Sequence, residues 1–152
     1  MSNLTASWKD VLKTSSTTVF SAENGNRDKT VTDSDGVTET VNPGLNKEDL
    51  KYRGYKYLYV TITFDCKEKD DGYQDLWVHS YNNTQLKHYE FEHGAGKKDT
   101  SWWSHTKSFY ISLDDVNASG SFNLEWGANG NFSDTWYLGY TTVSVTATTS
   151  NK

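Results

Sequence analysis

The chain has 152 residues and a formal net charge of −5, and its length suits one domain with one hydrophobic core. A sequence pI of about 5.3 disfavours nucleic acids as partners, because such a chain lacks the positive field that attracts phosphate backbones. No apolar run approaches the ~20 residues that span a bilayer, so no membrane partner is expected, and six Trp and ten Tyr supply core material in place of scarce aliphatic residues.

The N-terminal third predicts peripheral strands and loops of one domain spanning residues 1–152. Ser7 and Asp10 have the spacing of a capping box, which predicts a short helix ending near Lys13. Short β-like segments follow at residues 17–21, 29–32 and 37–41. Asp35-Gly36 predicts a hairpin that joins the last two of them, and residues 46–50 predict one helical turn.

From Tyr57 onward, apolar and polar residues alternate strictly. Leu58, Val60 and Ile62 share one face of a predicted strand with Cys66, while the residues between them share the other face. Similar alternation recurs around residues 76–81, 88–92, 108–113, 122–126 and 142–147, and residues 82–84 predict a hairpin turn. The pattern predicts an all-β, antiparallel two-sheet β-sandwich, jelly-roll-like, with a short N-terminal helix.

No catalytic motif is found, and we predict that the chain is not an enzyme and has no catalytic residues. Cys66 is expected to be a buried, inert thiol. A glycan-cleaving pair of carboxylates is an open alternative, because any acidic surface offers candidates for it.

An acidic loop between two predicted strands is the candidate metal site. Its carboxylates Glu68, Asp70, Asp71 and Asp75 surround a glycine and have the oxygen ligands that Ca²⁺ prefers. The alternative is a solvated turn, in which Asp and Gly supply turn geometry. No cofactor is required, and Ca²⁺ would have a structural role. The separations of the four histidines match no zinc motif, so no zinc site is expected.

Aromatic residues at outward strand positions predict a ligand surface, because monomers otherwise avoid exposed apolar patches. Flat rings stack on the C–H face of a sugar while polar neighbours bind its hydroxyls, so the expected ligand is uncharged and rich in hydroxyl groups. The alternative is that the N-terminal residues cover this face. The predicted carbohydrate-binding residues are Trp77, His79, Tyr81, Trp103, Tyr110, Tyr59, Glu90 and Glu125.

From Gly54 to its end the chain resembles the jelly-roll carbohydrate-binding modules of bacterial polysaccharide-degrading enzymes. The resemblance lies in the strand spacing, in the strand at residues 109–113, and in the segment at 134–139 before a final Thr/Val strand. It implies non-catalytic binding of a polysaccharide or glycan, a structural Ca²⁺ and an extracellular or cell-surface location. The N-terminal third departs from the resemblance.

A different class of function also fits the sequence: a structural or adhesive β-sandwich domain that makes protein–protein contacts in a larger surface or phage-type assembly. The sugar-binding reading favours a monomer, and the assembly reading favours self-association. The N-terminus has no basic or apolar leader segment, so the chain is expected to be intracellular or a mature form without its leader.

Overall fold

A computed structural model describes residues 13–23, 25–69, 73–92, 102–129 and 135–152, and these form two antiparallel sheets packed face to face. The prediction of an all-β, two-sheet sandwich is confirmed. The elements are β1 (Thr14–Phe20), β2 (Lys29–Thr32), β3 (Val37–Val41), α1 (Lys47–Tyr52), β4 (Tyr57–Glu68), β5 (Tyr73–His79), β6 (Gln85–Glu92), β7 (Trp103–Ser112) and β8 (Phe122–Asn129), then β9 (Thr135–Thr148).

The two sheets divide the strands unequally. In the five-stranded sheet, β1 and β2 both pair along one edge of β9, and β4 and β7 follow on its other side. The four-stranded sheet has the order β3-β8-β5-β6. Strands β6 and β7 therefore lie at the same side of the sandwich, where the rings of Tyr89 and Phe109 are 5.9 Å apart.

The hydrophobic core lies between the sheets and consists of the alternate residues that the sequence pattern selects. Leu58, Val60, Ile62, Phe64 and Cys66 of β4 are all fully buried. Burial raises the pKa of the Cys66 thiol to about 12, which keeps it protonated and unreactive at neutral pH.

Aromatic rings connect the two sheets through this core. Phe64, on the five-stranded sheet, lies 6.2 Å from the Trp126 ring and 5.5 Å from the Phe91 ring, both on the four-stranded sheet. The buried indole of Trp136 on β9 donates a hydrogen bond of 2.9 Å to the Gly127 carbonyl on β8. The sheets are thus held together by ring packing and by a directional bond.

The N-terminal strands extend the edges of the sheets. The predicted hairpin at Asp35-Gly36 is wrong: a turn does form, with mutual backbone hydrogen bonds between Thr32 and Asp35, but β2 pairs with β9 and β3 with β8. The turn therefore carries the chain from one sheet to the other. The predicted helix at residues 7–13 falls almost entirely outside the described residues.

Two other local predictions are confirmed. Asn46 caps α1 by accepting a hydrogen bond from the Asp49 backbone N–H at 3.0 Å. Residues 82–84 join the paired strands β5 and β6, with Asn83 at a positive φ of 66°. Within the described part of the chain, no helix is long and apolar enough to cross a membrane.

We predict that Phe64→Ala lowers the free energy of unfolding by about 3–5 kcal/mol, because it leaves a cavity between the sheets. Urea unfolding followed by tryptophan fluorescence measures this loss. Tyr52→Ala is the control, since that ring is 91% exposed and its removal should change stability by less than about 0.5 kcal/mol. Equal losses in the two variants would contradict the central place of Phe64.

Candidate functional site

The predicted sugar-binding residues do not form one surface. Trp77, His79, Glu90 and Glu125 lie on the outer face of the four-stranded sheet, because they alternate with inward residues that are buried on β5 and β8 and half-buried on β6. Tyr59 and Tyr110 lie on the outer face of the other sheet, with ring centroids 4.8 Å apart. The sandwich core separates the two groups.

Two further predicted residues lie away from the centres of both outer faces. Tyr81 follows the end of β5 and has its ring 5.8 Å from the Lys47 ammonium. Trp103 occupies an inward position at the start of β7, opposite Cys66, and is 39% exposed there. Its ring contacts that of His105 at 5.9 Å. This corrects the prediction of a single ligand surface, because the predicted residues lie at four separate places.

The predicted calcium ligands are also divided. Glu68 is buried and faces the interior, where its Oε2 accepts a 3.3 Å hydrogen bond from Gln74 Nε2. Asp75, the next residue after Gln74, points to the opposite side of the four-stranded sheet. Glu68 and Asp75 therefore cannot ligate the same ion, and Asp70 and Asp71 lie outside the described residues.

The outer face of the five-stranded sheet carries a regular grid of hydroxyl side chains. The strand registers align three rows of four residues, one from each of β1, β9, β4 and β7. None of these side chains is buried. The rows are Thr14, Thr146, Tyr59 and Tyr110; then Ser16, Ser144, Thr61 and Ser108; then Thr18, Thr142, Thr63 and Thr106.

This surface, which we call the hydroxyl face, contains no charged side chain within those rows. Cross-strand hydrogen bonds connect some of its members, such as Thr61 to Ser108 at 2.9 Å and Thr63 to Thr106 at 3.1 Å. The grid continues to a further row of Tyr57, Thr148 and Ser112. The alternating Thr and Ser residues in four strands could have indicated the hydroxyl face from the sequence. The alignment of its rows, however, depends on strand pairing.

The outer face of the four-stranded sheet, which we call the histidine face, is rich in titratable groups. His79 Nε2 lies 3.2 Å from Glu125 Oε1, and His88 Nε2 lies 3.0 Å from Asp75 Oδ1. The Asp75 side chain is almost completely buried although it points outward. Burial raises the pKa of Asp75, and the hydrogen bond to His88 opposes that change.

Trp77 lies between these two pairs. Its ring stacks on the His88 imidazole with centroids 4.6 Å apart and planes only 4° apart. It also leans over Gly127, where an added Cβ would lie 2.6 Å from the Trp77 ring atom Cζ3. The missing side chain at residue 127 therefore makes room for the indole.

No protein-family model matches this sequence, and no curated protein sequence matches it. Solved structures do show the same fold. One is a crystal structure of dimeric latent PorU from Porphyromonas gingivalis, with a TM-score of 0.54 and 10% identity over 89% of this chain. Another is a structure of the infectious bursal disease virus Gt strain, with a TM-score of 0.50 and 10% identity over 88% of this chain.

The chain spans 13% of the PorU chain and 32% of the virus chain. At this identity the likeness concerns the fold alone, and it shows an antiparallel two-sheet β-sandwich. It identifies no carbohydrate-binding module.

We predict that Gly127→Ala destabilises the protein by about 1–3 kcal/mol, because the new methyl group collides with the Trp77 ring. Chemical unfolding of Gly127→Ala, Trp77→Ala and the double variant measures the coupling. In the Trp77→Ala background the same glycine substitution should cost much less. A cost that is equal in both backgrounds would show that the indole is not the obstacle.

Proposed function

We propose that this chain is a structural or adhesive β-sandwich domain without catalytic activity, and that it assembles through the hydroxyl face. The observation that carries the proposal is the absence of charge across the three rows of that face. Cores of protein–protein interfaces are depleted of charged residues and enriched in tyrosine. The hydroxyl face has both properties, whereas the histidine face carries several titratable groups.

The partner that this surface suits best is a second copy of itself. A hydroxyl group donates one hydrogen bond and accepts others, so a lattice of hydroxyls complements an identical lattice. An uncharged face also meets its copy without the repulsion that like charges would cause. The adjacent rings of Tyr59 and Tyr110 offer rigid apolar area at one end of the grid.

The size of the face is compatible with a stable pair. The three rows and the further row contain 15 residues, and each occupies about 4.8 Å across the strands and about 6.6 Å along them, which gives a face of roughly 500 Å². Two such faces together bury about 1,000 Å², which is near the lower bound for a specific interface. A dimer of micromolar affinity is therefore the expected form.

The same sandwich fold occurs in a virus structure and in a protein described as dimeric. Because that likeness concerns the fold alone, the proposal of assembly rests on the chemistry of the hydroxyl face.

We expect the chain to associate reversibly in sedimentation velocity between about 1 and 100 µM. Ser144→Lys places a charge in the middle row and should weaken association at least tenfold, because an unpaired ammonium would have to lose its hydration in the interface. Thr38→Lys is the matched control, since it adds the same charge to an exposed strand residue of the other sheet. A monomer at 100 µM, or equal loss in both variants, would overturn the proposal.

Carbohydrate binding is a second candidate, and Trp77 on the histidine face favours it. A partly exposed indole beside His79 and Glu125 combines a stacking surface with hydrogen-bonding groups. An open surface of this kind would bind weakly, with a dissociation constant of order µM to mM.

A panel of plant, microbial and host glycans tests this second function. Binding should be lost in Trp77→Ala and kept in Tyr52→Ala, which removes an exposed ring from α1. No binding on the whole panel, or binding that survives Trp77→Ala, would remove the histidine face as a sugar site.

A further inference from the structure

Three side chains of residue types that can bind metals lie close together on the histidine face. Asp75 on β5 and Glu90 on β6 are directly opposite in the antiparallel pair, and His88 precedes Glu90 by two positions on the same face. One ligand atom from each of the three residues lies within 4.8 Å of the other two. Strand pairing brings Asp75 to the other two residues, because His88 and Glu90 are 13 and 15 positions from it along the chain.

Two contacts hold the arrangement in place. The His88 ring is fixed by its stack on Trp77, and its Nε2 atom already lies 3.0 Å from Asp75 Oδ1. The Asp75 side chain is only 3% exposed, so its carboxylate has little freedom to move. A metal site needs ligands that their surroundings orient in advance. His88 and Asp75 are oriented in this way.

The charges of the cluster favour a cation. Asp75 and Glu90 are acidic residues directly opposite each other across the strands, a placement that is repulsive without a positive group between them. A divalent ion between the carboxylates and the imidazole would remove this repulsion. It would replace the proton that Asp75 and His88 share in their hydrogen bond.

We propose that Asp75, His88 and Glu90 form a binding site for a divalent transition-metal ion, for which Zn²⁺ is the probe. Imidazole nitrogen together with carboxylate oxygen suits Zn²⁺ better than Ca²⁺ or Mg²⁺, which take oxygen ligands. Zinc bonds these atoms at about 2.0–2.2 Å, so tetrahedral ligand atoms lie about 3.4 Å apart. The existing 3.0 Å pair needs little adjustment, and rotation of the exposed Glu90 side chain completes the set.

The sequence analysis did not predict this site. Histidine spacing predicted no zinc site, and the predicted calcium set contained only Asp75 of the three ligands. Three protein ligands leave a fourth position open to water or to a group from a partner. The site lies on the opposite sheet from the hydroxyl face, so it does not depend on the proposed assembly.

Calorimetric titration of zinc chloride into the chelator-treated full chain tests the site. The wild type should bind one Zn²⁺ per chain with a micromolar or lower dissociation constant. Glu90→Gln should weaken binding at least tenfold, and His88→Ala should abolish it. His79→Ala is the matched control, because His79 is on the same face but pairs with the single carboxylate of Glu125, and it should bind as the wild type does.

Cobalt absorption gives a second readout, since visible bands of bound Co²⁺ should appear in the wild type and disappear in His88→Ala. If His88→Ala does not fold, Glu90→Gln decides the question, because that side chain is exposed and its substitution keeps its shape. The proposal is overturned if the wild type binds no Zn²⁺ at millimolar concentration. It is also overturned if Glu90→Gln binds normally, or if His79→Ala loses as much affinity as His88→Ala.

Discussion

The packing of aromatic rings between the two sheets is the interaction on which the rest of this structure depends. Phe64 reaches across the core to Trp126 and Phe91, and Trp136 donates its indole N–H to the facing sheet. These large rings add to the buried area of the aliphatic side chains, which make up most of the core. Because every second residue of a strand packs into this core, the residues between them form the outer faces.

The two outer faces differ in the chemistry of their side chains. The hydroxyl face is neutral and regular, with Ser144 and Thr61 at its centre. The histidine face concentrates two His–carboxylate pairs around Trp77. A neutral lattice suits contact with another neutral surface, whereas clustered imidazoles and carboxylates suit a cation or a polar ligand. One sandwich therefore presents two separate outer surfaces of different chemistry.

Prediction from sequence succeeded where a property depends on neighbouring residues. The inward position of Cys66, the helical turn that begins after Asn46 and the turn at Asn83 follow from strand parity and local hydrogen bonding. It failed at Asp35-Gly36, where the turn forms but the strands beside it belong to different sheets. A turn sequence specifies the path of four residues, and the pairing of strands depends on which sheet edge is available.

The sequence by itself determined the fold class, the buried face of each long strand and the kinds of side chain that face outward. Only the tertiary structure decided which outward residues are neighbours: it placed Trp77 and Tyr59 on opposite faces and brought His88 beside Asp75. The physical reason is that side-chain alternation is a property of one strand. Strand order, register and sheet membership arise from contacts between residues far apart in the chain.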